Sequence, residues 1–462
     1  MNIHPVLKEV AALFTARHKE VCLVGGAVRD MLRGKNAQDW DLATNAQPDE
    51  VMDIFRKSKP RGMVIPTGIK HGTVTVHFKN KCMEITTYRT ESEYTDGRRP
   101  DAVSYAGTIE EDLGRRDFCM NAIALRLPQG IVIDPYDGEA DIEAGIIRCV
   151  GHPMERFSED GLRPLRAIRF AAQLGYEIEE LTLEAIPLCL WVSALVSAER
   201  VRDELDKIIG SAQPSRAFML MEVTGLLKLF LPELYVCRGI DQKGMHRFDV
   251  LEHLLKACDY AARGKYPREV ILAALLHDIG KPVVRQPVKL ANGSEEWTFY
   301  RHEAVSADLS REILGRLRYS NTFIADVSHL VAEHMFHYDD TWSDAAVRRF
   351  IVRAGRDSLD NLYRLRKADA YATAGIEPGR GFLVPLVERV DRVIAEGNAF
   401  SLKNLAVGGN DLKEIGVKPG KTMGIILNEL FETVLDDPSL NTREKLLEIA
   451  GKINGKWEKP EV

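Results

Sequence analysis

Cysteine is scarce in this chain, seven in 462 residues, an odd number with no CxxC pair. That argues against a disulfide framework and fits reduced thiols in a cytoplasmic protein. Long apolar runs are missing as well. The N-terminus, MNIHPVLKEVAALFTARHK, sets Val6, Val10, Leu13 and Phe14 at helical spacing and then stops, so neither a signal peptide nor a membrane span is expected. There is no internal repeat, no low-complexity tract and no excess of positive charge. The net charge of -6 would by itself speak against a polyanionic partner, but net charge averages over domains and hides local basic stripes. What is present is ordinary globular material, 45% hydrophobic and 28% charged, in a length that suits several domains.

From Glu20 to about Cys149, short apolar runs (VCLVGG, GTVTVHF, CMEITTY, IVIDPY) alternate with polar connectors, which predicts strands with a few helices. After about Pro153 the strand signal fades into long helical patterning such as LRPLRAIRFAAQLG and VLEHLLKACDYAA. The expected architecture is an α/β head followed by an all-α body. Seams near RGIDQKGMHRF and AEGNAFSLKNLAVGGND divide it into a head at 1–150, a helical neck at 151–240, a middle helical domain at 241–395 and a helical tail at 396–462.

The head holds the first chemical signal. Val21 to Val24 read as a strand, Gly25 and Gly26 as a turn, and AVRDMLRG, with Arg29, as a short helix ended by Gly34. Glycines there let backbone N–H groups approach a phosphate. If DWDLAT is a strand, Asp39 and Asp41 share a face, about 7 Å apart. Two carboxylates so placed repel unless a cation lies between them, and a hard ion such as Mg²⁺ selects such ligands. Glu84, on the strand CMEITTYR, is a third acid that a sheet neighbour could bring to the same ions. In EEDLGRRDF, Arg115, Arg116 and Asp117 follow one another, and arginines beside a metal site suit a triphosphate.

The segments VGGAVRDMLRGKNAQDWDLAT, HGTVTVHFKNKCMEITTYR, RRPDAV, EEDLGRRDFCMNAIA, IDPYDGEADI and RFSEDGLRPLRAIRFAAQLG, in this order from about residue 20 to 210, resemble the bacterial class II tRNA nucleotidyltransferases, the CCA-adding enzymes and their poly(A) polymerase relatives. The resemblance implies a polymerase-β-like nucleotidyltransferase head, a small mixed sheet with helices, before an elongated all-helical body. It implies two metal ions on Asp39 and Asp41, attack of an RNA 3'-hydroxyl on the α-phosphate of CTP or ATP, and release of pyrophosphate. The loop YRTESEYTDGRRPDAVSY, shortened in relatives that add only the cytidines, is complete here, which favours CCA addition, or A addition alone.

Base choice is expected to lie in SEDGLRPLRAIRF. Pro164 belongs in a helix's first turn, so the helix should begin close to Asp160, with Asp160 and Arg163 side by side. A carboxylate acceptor next to a guanidinium donor complements the amine and ring acceptor of cytosine and adenine, while uracil and guanine present the reverse order. The resemblance assigns this role to Glu159, Asp160 and Arg163 and places Arg166 and Arg169 near the nucleotide.

In the middle domain, VLEHLLKA, ALLHDIGK, RHEAVS, LVAEHMFH and RLRKADAYA carry His253, His277, Asp278, His302, His334 and Asp369; His246 and His337 are nearby without a role. A His-Asp doublet on an apolar helix is costly to bury unless it binds something, and converging imidazoles and carboxylates suit Mn, Ni or Fe. The set resembles the HD phosphohydrolase domain. In the tail, KPGKTMG places lysines and glycines at a helix start, where an RNA phosphate can bind; the resemblance makes it the grip on tRNA far from the 3' end. Three functions stay open at this level: CCA addition to tRNA, A-only or poly(A) synthesis, and a metal phosphohydrolase whose head binds RNA.

Overall fold

The computed structural model of the chain describes residues 3–37, 39–66, 69, 72–91, 103–242, 247–289, 295–397 and 399–457. It divides into two compact units, one of residues 1–236 with 313–319 and the other of 237–312 with 320–462.

The first unit begins with helix α1 (Pro5–Thr15), whose Val6, Leu7, Val10 and Phe14 are buried at helical spacing. Strand β1 (Val21–Val24), helix α2 (Gly26–Leu32), β2 (Trp40–Thr44), α3 (Pro48–Arg56), β3 (Met63–Ile65), β4 (Thr73–Phe78) and β5 (Lys81–Thr87) follow. A short pair, β6 (Arg89–Glu91) and β7 (Val103–Tyr105), precedes α4 (Ile109–Gly114), β8 (Ala124–Leu127), β9 (Ile131–Ile133) and α5 (Gly138–Ala144). Seven strands form one sheet in the order β3-β4-β5-β2-β1-β8-β9. Only β2 and β5 run parallel; the other neighbours are antiparallel.

The sheet is covered on both faces, which explains why β1 is buried at all four positions. Val21, Leu23, Trp40, Leu42, Met83 and Ile85 join one core with Phe14 and Phe55. Cys22, Val24 and Ala43 join a second core with Tyr88, Ile109 and Leu113. Asp41 shares the parity of Ala43 and so projects to this second face. The strand is shorter than DWDLAT suggests. Asp39 lies in the bend before it.

The neck starts with α6 (Pro153–Glu159) and α7 (Arg163–Leu174). Here the expectation of a helix beginning near Asp160 is corrected: Asp160 ends α6 in extended backbone, and α7 opens at Arg163 with Leu162 at its cap. The cause is Gly161, where a Cβ would lie 2.3 Å from the Val192 carbonyl oxygen, so the chain must break to pass the neighbouring backbone. The strand signal also does not end at Pro153, because Ile146–Ile147 pairs with Glu177–Ile178, and Gln286–Lys289 forms an antiparallel pair with Glu295–Thr298.

In the second unit, the helices Val250–Arg263, Arg268–Leu276, Asn321–Glu333 and Leu359–Ala374 surround buried histidines, and Lys421–Asp436 packs with Gly409–Glu414 and Arg443–Trp457 around Leu412, Ile426, Leu430 and Leu446.

Candidate active sites

In the head, parallel pairing of β2 with β5 puts Asp41 directly opposite Glu84. Adjacent strands are about 4.8 Å apart, so the two carboxylates share one patch. Both are pushed above the ordinary carboxylate range. For Asp41 the main cause is desolvation by the flanking protein, with the charge of Asp39 adding to it and Arg116 opposing; for Glu84 it is desolvation, then the charge of Asp41. Asp39 thus acts against the charge of Asp41, and Asp41 against that of Glu84, where β2 and β5 meet inside the sheet, a crowding that a divalent cation relieves.

Basic groups approach from the side. Gly25 has φ 67°, in the left-handed region, and a Cβ there would lie 3.0 Å from a guanidinium nitrogen of Arg116. The glycine turn is therefore a seat for Arg116. Arg115 and Arg116 are both held by Asp112, whose carboxylate is 1% exposed. Burial would raise Asp112, but the two arginines prevail and hold it below its usual range. Arg29 is buried, donating to Asn121 at 2.8 Å and to Asp30 at 3.0 Å.

Asp117 is locked in place. Its Oδ2 accepts from Arg166 at 2.6 Å and its Oδ1 from the Phe118 N–H and the Asn121 amide. Burial opposes ionisation, yet Arg166, Asn121 and Arg163 bring its pKa down to about 2. Arg169 is buried rather than part of a surface stripe, bonded to Glu204 and Gln173, with its guanidinium 3.8 Å from the Phe170 ring centroid. Around the break between α6 and α7, Asp160 Oδ1 accepts from the Leu162 N–H and Oδ2 pairs with Arg200 at 2.7 Å. Arg163 is buried and donates to Glu159, to the Arg156 carbonyl and to the Arg115 carbonyl. Asp160 and Arg163 are linked through backbone, the Arg163 N–H donating to the Asp160 carbonyl, and each side chain is oriented by its own partner.

In the second unit His253, His277, Asp278, His302, His334 and Asp369 are all buried and lie together. His253 Nε2 lies 3.0 Å from His277 Nε2 and 3.3 Å from both Asp278 Oδ2 and Asp369 Oδ1. His302 Nε2 and His334 Nε2 lie 3.0 and 3.7 Å from Asp278 Oδ1. Two triads of mutually close ligand atoms result, His253-His277-Asp278 and Asp278-His302-His334, with Asp278 common to both.

The tautomers are decided by backbone. Nδ1–H of His277, His302 and His334 donates to the carbonyl three residues earlier, Ala274, Phe299 and Val331, at 3.0, 2.9 and 2.7 Å. Each Nε2 then presents a lone pair to the carboxylates, as a metal ligand requires. His302 Nε2 in particular is buried beside Asp278 without hydrogen-bond geometry. Lys281 Nζ rests on Asp278 Oδ2 at 2.6 Å and also reaches Gln242. Burial would raise Asp278 and Asp369, but Lys281 and His277 hold the former, and His253 and His277 the latter, well below the usual range. His337 is exposed and apart from the cluster, and His246 lies outside the described residues.

Residues 21–148 match the model of the poly A polymerase head domain, 175–237 that of a probable RNA and SrmB-binding site of polymerase A, and 244–374 that of the HD domain. A CCA-adding enzyme of Enterococcus faecalis (strain ATCC 700802 / V583) is 31% identical over 98% of this chain and 96% of its own length. The chain belongs to the CCA-adding enzyme family. A family member from Geobacillus sp. (strain WCH70) is 43% identical over 54% of this chain and 64% of that protein, and the chain spans 50% to 64% of the length of the first four curated relatives it matches. The crystal structure of the Bacillus stearothermophilus CCA-adding enzyme in complex with CTP superposes with a TM-score of 0.73 at 28% identity, covering 99% of both chains.

A nucleotidyltransferase head and an HD domain imply dependence on divalent metal ions, and both donor sets fit: crowded carboxylates in the head, Nε2 lone pairs with carboxylates in the HD domain. No described helix is long and apolar enough to cross a membrane.

Sequence spacing exposes Asp112, three and four residues before the arginines it holds. Nothing in the sequence points to Arg200, Glu204, Asn121 or Gln242, whose partners are brought together only by folding.

Proposed function

We propose that the chain adds or repairs the 3'-terminal CCA of tRNA, using CTP and ATP, in the cytoplasm. The end-to-end match to a CCA-adding relative carries this reading. Asp39 and Asp41, with Glu84 beside them, would hold Mg²⁺, which supplies a lowered pKa for the RNA 3'-hydroxyl and charge neutralisation at the α-phosphate. Arg116, seated over Gly25 and anchored by Asp112, is placed to pair with the triphosphate. Arg29, Asp117, Arg166 and Arg169 brace the nucleotide site through the network that joins α2, α4 and α7. Glu159 and Arg200 orient Arg163 and Asp160, whose guanidinium and carboxylate are proposed to meet the ring acceptor and the amine of cytosine or adenine. Uracil or guanine would set like groups together, at about 1 to 3 kcal/mol per unpaired group. The tail's Lys418 and Lys421 are proposed to contact tRNA away from its 3' end.

The test offers CTP, ATP, GTP and UTP singly to tRNAs ending before, within and after CCA, and sequences the products. Cytidine then adenosine, ending at CCA, is expected. Adenosine alone, or an open-ended A tract, would replace this reading by A addition or poly(A) synthesis. Asp39→Ala is expected to abolish incorporation; unchanged incorporation would overturn the metal assignment.

The buried histidines support a second activity, hydrolysis of a phosphate ester such as a 2',3'-cyclic phosphate, with Mn, Ni or Fe held by His253, His277, Asp278 and Asp369 and by Asp278, His302 and His334. Activity lost on chelation and restored by one of these metals is the expected result. Hydrolysis unaffected by metal, or absent with all of them, would reduce the cluster to a scaffold.

A further inference from the structure

A cavity of about 560 Å³ lies at the start of β2 and β5, lined by the first residues of α1, by the turn after α2 and by Trp40 and Lys81. It belongs to the face of the sheet opposite Asp41, because Trp40 and Leu42 alternate with Asp41 and point into the core around Phe14 and Phe55. Its apolar part is formed by Leu7, Met31, Ala37 and the indole of Trp40. His4 meets that indole at a tilt of 58°, centroids 4.9 Å apart, and Lys81 Nζ lies 5.3 Å from its centroid.

Its polar part is made of donors. His4 Nδ1 accepts the Val6 N–H, so Nε2 carries the proton of the neutral ring. Lys35 and Lys81 have no acidic partner among the described residues, and the Asn36 side chain makes no hydrogen bond among them. Of the acids near it, Asp30 is engaged by Arg29 and Arg33, and Glu9 by Lys79. Two uncompensated ammonium groups over an apolar wall select an anion with an apolar body, and the volume lies in the range of small organic ligands. Residues 34–37 run on towards Asp39, so a ligand seated here touches the segment that presents one acid of the polymerase centre.

We propose that this cavity is a second, non-catalytic site for a mononucleotide-sized organic phosphate, with the phosphate on Lys35 and Lys81 and the ring system against Leu7, Met31 and Ala37. The test is equilibrium dialysis of the full chain against radiolabelled AMP in EDTA, which strips metal from both catalytic centres. Saturable binding is expected, weakened at least about tenfold in the Lys35→Ala/Lys81→Ala variant. It should persist in Lys35→Arg/Lys81→Arg and be unchanged in Lys57→Ala, an exposed lysine outside the cavity. Both lysines are at the surface of the cavity, so melting temperatures should match the parent. Absence of saturable binding, or binding in the double alanine variant within about twofold of the parent, overturns the proposal and leaves the polymerase reading untouched.

Discussion

Asp41 and Glu84 face each other across a parallel strand pair, and their raised pKa values make the metal-free chain pH-sensitive in a definite direction. An acid whose folded pKa lies above its unfolded value contributes stability that is present below the unfolded pKa and lost as pH rises through the folded one. Glu84→Gln is therefore expected to stabilise the metal-free chain slightly at neutral pH, the gain vanishing in acid, while lowering nucleotide incorporation. Thermal melts in EDTA at several pH values, with a tRNA extension assay, check both halves. Asp117 behaves in the opposite sense. With its pKa held at about 2 against 3.8 unfolded, its contribution is present above the unfolded value and lost as pH falls towards 2. Such a shift is worth about 2 kcal/mol, so urea unfolding should show a gap of that size between parent and Asp117→Asn near neutrality, closing as pH falls. The face of Asp41 is legible from alternation along its own strand, which depends only on the local chain, whereas Asp39 falls in the bend before that strand, outside the alternation. Glu84 needs the identity of the neighbouring strand, and Arg200 and Glu204 need the docking of a helix some 40 and 35 residues away.

Between α6 and α7 a single glycine decides where the selecting residues sit. Gly161 passes so close to the Val192 carbonyl that any side chain must displace backbone. Gly161→Ala is expected to cost about 2 kcal/mol of stability and to relax discrimination against UTP and GTP, because Asp160 and Arg163 flank the displaced turn. Single-nucleotide incorporation with all four triphosphates reads the second effect, and preserved selectivity would disconnect the turn from base choice. Pro164 correctly signals a helix start in the sequence, but a proline is compatible with more than one first-turn position. Contact with the remote Val192 selects the actual one. The strand pair at 286–289 and 295–298 was similarly hidden, being short and exposed, with no apolar alternation to announce it.

At the scale of the molecule, the four helices around the buried histidines, with a fifth that begins at His302 (His302–Arg316), bring six ligands drawn from residues 253–369 into one buried cluster. An ion that binds only the folded form stabilises it by about 2.7 kcal/mol at a concentration one hundred times its dissociation constant. Added Mn²⁺, Ni²⁺ or Fe²⁺ is thus expected to raise the melting temperature of the parent and to do so much less in Asp278→Asn, which alters the residue common to both triads. An equal rise in the variant would place the ion elsewhere.

The order of elements in the head, the paired acids, the arginine and aspartate motifs and the histidine set were determined by the sequence itself, because periodicity, turn chemistry and residue type act over a few neighbouring residues. The register of Asp41 with Glu84, the helix break at Gly161, the partners that orient Asp160 and Arg163, the Nε2 lone pairs turned towards Asp278 and the cationic cavity behind Trp40 were decided only by the tertiary structure. Each depends on the distance between groups far apart in the chain, and packing of the cores is what sets those distances.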